Sequence, residues 1–106
     1  LSPDFTWPVL PREGKPGQKE IADISRRIMH ADVDGEVDAE WLDSLSCCAY
    51  LWNSVYIFWL DSVMEEPTWL VQFQEFDIDY WSTKYWVFLN EDGEVLFHTL
   101  TMESNG

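Results

Sequence analysis

Hydrophobic and polar positions divide the chain into two regimes that meet near Val55. Between Gln18 and His30, Ile21, Ile24 and Ile28 recur at i, i+3 and i+7, with Ala22 and Ser25 beside them. One apolar stripe of this period predicts a helix over 18–30. Arg26 and Arg27 fall in its last turns, where cations suit the helix dipole. Further on, Asp38 is a good N-cap, and Trp41, Leu45, Cys48 and Trp52 again recur at helical spacing, widened by Leu42 and Ala49. A second helix over 39–52 is expected, ended by Asn53-Ser54.

From Val55 the pattern becomes that of strands. Val55-Tyr56-Ile57-Phe58-Trp59-Leu60 is β-branched and aromatic without interruption, so a strand at about 55–60 is expected at the sheet centre, buried on both faces. Glu65-Glu66-Pro67 turns the chain. Over 69–76, Trp69, Val71 and Phe73 alternate with Gln72 and Gln74, which reads as a half-buried strand. Strands at 85–89 and 95–101 flank Asn90-Glu91-Asp92-Gly93. A type I turn with Gly93 in the left-handed position fits that length, and sets Leu89 against Val95, Val87 against Phe97 and Trp86 against His98. Four of the five prolines (Pro3, Pro8, Pro11, Pro16) lie in residues 1–17 with Gly14 and Gly17, an extended arm anchored by Phe5, Trp7, Val9 and Leu10. Residues 102–106 read as a fraying tail. The expected fold is α+β: one domain over 1–106, with two N-terminal helices against a four-stranded antiparallel sheet.

Composition changes this picture in one respect. At 46% apolar and 16% aromatic residues, the chain is too rich in core-forming side chains to be a disordered acidic tail. Yet its net charge is −14, and the charge is unevenly placed. Residues 1–27 hold four acids and five bases, a net of +1, whereas residues 28–106 hold sixteen acids and a single base, Lys84. Such a field repels nucleic acid and anionic membrane and attracts basic proteins. The alternative is that acidity serves solubility alone. Cys47 and Cys48 are adjacent and do not make a disulfide framework; free thiols suit a reducing, cytoplasmic setting. The longest apolar run, Cys47 to Leu60, contains Asn53 and Ser54 and is too short to span a bilayer. The chain opens on Leu1 rather than Met, so an accessory domain of a larger protein is a further reading.

Residues 30–41 resemble the EF-hand calcium loop, with His30, Asp32, Asp34, Gly35, Glu36, Val37 and Asp38 at its positions one, three, five, six, seven, eight and nine. The resemblance implies calcium held by Asp32, Asp34 and Asp38. It departs at position one, where His30 replaces an Asp, and at position twelve, where Trp41 replaces the bidentate Glu. His30 with Asp32 and Asp34 is a conceivable transition-metal set, but no second His lies nearby in sequence. There is no nucleophile elbow and no phosphate-binding glycine loop, and Cys47 and Cys48 sit in an apolar segment that blunts thiol reactivity. No catalytic residues and no cofactor are therefore assigned.

Glu75-Phe76-Asp77-Ile78-Asp79-Tyr80-Trp81-Ser82 joins two expected strands and combines three carboxylates with Tyr and Trp, the residues that dominate interface hot spots. The expected partner-binding residues are Glu75, Asp77, Asp79, Tyr80 and Trp81, joined by Asp32, Asp34 and Glu36. The competing reading is a bent strand with Phe76, Ile78, Tyr80 and Trp81 turned inward. The leading functional expectation is an acidic inhibitor, immunity-type or nucleic-acid-mimic protein. It would neutralise a basic partner, such as a nuclease toxin, by occluding its groove, with no direct contact to nucleic acid or membrane. A calcium- or small-ligand-binding domain is the alternative.

Overall fold

The structure is a computed structural model that describes residues 8–33, 35–75 and 81–104. It is α+β and antiparallel throughout. In chain order it has β1 (Pro8–Val9), α1 (Gln18–Asp32), α2 (Ala39–Ser44), β2 (Ser46–Trp52), β3 (Val55–Ile57), a 3-10 turn (Phe58–Leu60), β4 (Ser62–Met64), β5 (Thr68–Gln74), β6 (Trp81–Asn90) and β7 (Val95–Ser104). The main sheet has the order β1-β2-β5-β6-β7, and β3 pairs with β4 in a separate two-stranded sheet.

Helix α1 forms where the isoleucine stripe predicts it and runs two residues further. Ile21, Ser25 and Met29 are fully buried, while Ile24 and Ile28 pack at the margin of the core. Ser25 Oγ donates to Ile21 O, so its burial leaves no orphan hydroxyl. Against the helix lie the inward positions of the sheet: Ala49 and Leu51 of β2, Trp69, Val71 and Phe73 of β5, and Tyr85, Val87 and Leu89 of β6. The alternation read over 69–76 is thus the core face of β5.

The expected helix over 39–52 is corrected. Asp38 does cap α2, its carboxylate accepting from Glu40 N–H, but the helix stops after Ser44. Ser44 Oγ bonds back to Trp41 O, a local competitor for helical hydrogen bonding, and Leu45 is already extended. Residues 46–52 then form β2, paired with β5 along its whole length from Ser46–Gln74 to Trp52–Thr68. Cys48 and Trp52 satisfied a helical period, while Cys47, Ala49 and Leu51 satisfied a strand period equally well. Seven residues of sheet pairing decided between them.

The expected central strand at 55–60 is also corrected, because β5 holds the centre. Only Val55–Ile57 is extended, and Val55 and Ile57 are buried while Tyr56 is exposed. After the 3-10 turn, Asp61 takes a left-handed φ of 48°, and the chain doubles back as β4. The resulting flap covers the sheet face opposite the helices. Beneath it is a second apolar cluster: Val55, Ile57 and Phe88, with Trp52, Met64, Leu70, Trp86, Leu96 and Phe97 around them.

In the last hairpin Gly93 has φ 86°, and its N–H donates to Asn90 O. Leu89 faces Val95 as expected, but a β-bulge between Phe88 and Leu89 shifts the rest by one residue. Phe88, not Val87, faces Phe97, and Val87, not Trp86, faces His98. A one-residue slip exchanges the faces of a strand. It puts Phe97 under the flap and His98 on the helix side. The expected tail at 102–106 is strand as far as Ser104. The arm pairs briefly with β2 through Pro8 and Val9; of its expected anchors Val9 packs against the core, Leu10 is exposed and anchors nothing, and Phe5 and Trp7 lie outside the described residues.

Candidate functional site

The flap builds an exposed aromatic face. Tyr56 and Val63 are a cross-strand pair on its outer side, 52% and 56% exposed, and Phe58 on the 3-10 turn is 71% exposed. Leu60 is exposed beside them. Contiguous apolar surface of this kind marks an interaction site more often than scattered single residues do. The face is held from below. Trp59 stacks on Phe97 with centroids 5.8 Å apart and planes 24° from parallel, and also meets Trp86 at 5.5 Å and Phe88 at 6.2 Å. Phe58 meets Trp59 edge-on at 6.0 Å.

Carboxylates rim the rings. Asp61 closes the turn and accepts from Tyr56 Oη at 2.7 Å, which raises the tyrosine's pKa above its usual value. Glu65 and Glu66 follow β4 in exposed positions. Five of the six bases lie on the arm and α1, and the sixth, Lys84, is on β6 two residues before Trp86. Arg12 makes two bonds to Glu91, at 2.7 and 2.6 Å, and Lys15 pairs with Asp92, so the arm's cations meet the hairpin tip. Arg26 donates to Leu42 O and covers the Phe73 ring. Flap, rings and acids therefore present apolar area and negative charge together.

The residues expected to bind a partner are placed as follows. Glu75 is half-buried and accepts from Trp41 Nε1 at 3.4 Å. Trp81 opens β6. Asp34, Asp77, Asp79 and Tyr80 lie outside the described residues. Glu36 is exposed on the turn after α1. Asp32 belongs to a network: Tyr85 Oη donates to Asp32 Oδ2 at 2.6 Å and lies 2.8 Å from His98 Nδ1. Burial first, and then Asp32, push the Tyr85 phenol far above its usual range. A cavity of about 150 Å³ is walled by Val37 and Trp41 from one side and Thr83, Tyr85 and Met102 from the other.

The described donors of the calcium-like loop diverge. His30 Nε2 sits 2.9 Å from Asp43 Oδ1, Asp32 is held by Tyr85, and Asp38 caps α2. Among the described residues no three His, Cys, Asp or Glu side chains converge on a metal position. His30 and His98 each have a separate acidic neighbour. Cys47 faces the core and Cys48 the opposite, exposed side of β2, and burial pushes the Cys47 thiol's pKa up. Among the described residues no helix is long and apolar enough to cross a membrane. Compared with known protein families, curated proteins and solved structures, the chain matches none.

Sequence reading missed the flap. Its residues were assigned to a buried central strand on the strength of their apolarity. The signal that opposes this is Asp61, directly after six apolar residues, followed by the short alternation of Ser62-Val63-Met64.

Proposed function

We propose that this protein binds a basic protein partner through the acid-rimmed aromatic face of the flap. In this reading it is an inhibitor or immunity-type protein that occludes the partner's anionic-substrate groove. The observation that carries the reading is Phe58, 71% exposed within three residues of Asp61 on a chain of net charge −14. Exposed rings supply the desolvated anchor that dominates interface energetics, and the acidic field speeds encounter and selects for basic partners. Carboxylates around the rings would stand where substrate phosphates stand. The test is capture from the native cell by the wild-type chain and by Phe58→Ser/Val63→Thr. The wild type should retain basic proteins at low salt and release them near 1 M, where the Debye length falls to about 3 Å. The double variant should lose them. Identical capture by the two chains refutes the reading.

A small-ligand role is favoured by one observation, the cavity of about 150 Å³ between α1, α2 and the sheet. Its walls are almost wholly apolar, and a dry cavity of about that size accepts a benzene-sized group. Benzene raising the melting temperature of the wild type, and not of Leu45→Phe, would support it.

A further inference from the structure

One edge of the main sheet, unpaired among the described residues, adjoins the flap. Strand β7 spans ten residues, Val95–Ser104, against about 5–6 for a common strand. Among the described residues it pairs with β6 alone, while the opposite edge is closed by the two-residue β1. Natural edges are blunted by Lys, Pro, inward charge or bulges. Between Val95 and Ser104 there is no Lys, Arg or Pro, and Glu103 is the sole acid. The bulge lies at the start of the strand, so pairing from Phe97–Phe88 to Ser104–Trp81 runs without a shift. A regular row of outward N–H and C=O groups is left along eight residues.

Two observations say what this edge would take. Trp59 of the flap stacks on Phe97, so the exposed rings stand directly beside the edge, above the face on which alternate side chains of an added strand would lie. The chain's net charge of −14 opposes a second copy and favours a cationic segment. Resting on the reading of a basic partner, we propose that β7 accepts an extended segment of that partner as a sixth strand. Backbone hydrogen bonds along β7 supply affinity. Apolar side chains on one face of the segment pack under Phe58 and Trp59, and basic side chains answer the acidic field.

The test uses the full 106-residue chain and two synthetic octapeptides of alternating Lys and Val, one unmodified and one N-methylated at every residue. Their charge is the same, but only the first has N–H donors for a ladder. Titration followed by amide hydrogen exchange should show the unmodified peptide binding at least tenfold tighter. The N–H groups of β7 that point away from β6, every second residue, should gain at least tenfold protection. Equal binding of both peptides with β7 unprotected overturns edge pairing and leaves the charge-driven reading standing. No binding of either peptide at low salt overturns both. A peptide-free chain of doubled mass, with β7 already protected, overturns the choice of occupant in favour of a second copy.

Discussion

Tyr85→Phe removes one oxygen from a side chain that is 1% exposed and leaves the ring in place. A carboxylate only accepts, so the hydroxyl proton goes to Asp32 Oδ2, and His98 Nδ1 must carry the proton that it offers to the Tyr85 oxygen. The substitution thus deletes two hydrogen bonds, one of them to a charged group, each about 1–3 kcal/mol in a buried setting. Asp32 and His98 keep side-chain exposures of 40% and 38%, and water replaces part of what they lose. The expected loss is about 1–2 kcal/mol at neutral pH. Its pH dependence is the sharper test. Burial and Asp32 hold the native phenol above its usual pKa, while the unfolded tyrosine ionises near pH 10. Above about pH 10 the unfolded state therefore binds fewer protons than the native state, and stability falls by up to about 1.4 kcal/mol per pH unit. The contribution is whole below that pH and drains above it. Urea unfolding at about pH 7, 9, 10.5 and 11.5 should show a constant gap between wild type and Tyr85→Phe at the first two values. By the last the wild type should have lost roughly 2 kcal/mol relative to the variant, enough to close the gap or reverse it. Curves that stay parallel through the alkaline range refute the buried, Asp32-linked phenol.

On the flap, Phe58→Ser should change stability by about 0.5 kcal/mol or less in chemical denaturation, yet weaken partner binding by roughly 30-fold, the loss of about 2 kcal/mol expected of a hot-spot ring. Ile57→Ala, at a fully buried position under the same flap, should cost about 2–5 kcal/mol and expose the Trp59 indole, read as a red-shifted, more quenchable tryptophan emission. Gly93→Ala forces a side chain into φ 86°, with its Cβ 3.3 Å from Ile24 Cδ1; the cost should be about 1–2 kcal/mol, whereas a melting temperature equal to wild type would contradict the turn. Near its sequence pI of about 4.1 the chain loses the repulsion that keeps exposed rings apart. Light scattering should then show self-association that Phe58→Ser/Val63→Thr suppresses.

The parts of the fold legible in sequence are those where a single period governs. Ile21, Ile24 and Ile28 admit only a helix, and Trp69, Val71 and Phe73 only a half-buried strand. Gly93 marks its turn because few residues other than glycine take that φ without strain. Legibility fails where two periods coexist, as at Cys47 to Trp52, or where apolarity is mistaken for burial. Phe58, Trp59 and Leu60 are as hydrophobic as any core segment, and burial could not be told from exposure without knowing which neighbours covered them. The bulge at Phe88 and Leu89 was hidden for another reason. A turn length sets the first pair of a hairpin, Leu89 with Val95, but says nothing of an extra residue inserted one step later.

That single inserted residue links the two faces of the molecule. Without it Phe97 would lie on the helix side and His98 beneath the flap. With it Phe97 becomes the ring on which Trp59 stacks, and His98 reaches Tyr85 and Asp32. Beyond the bulge the rest of β7 pairs with β6 in unbroken register, and among the described residues its outer edge has no partner strand. The bulge thus sets two contacts at once, the ring beneath Trp59 and the histidine beside Tyr85. The acidity fits this arrangement. A surface that displays Phe58, Val63 and a strand edge unpaired among the described residues invites self-association, and a net charge of −14 opposes contact between copies while drawing in chains of opposite sign.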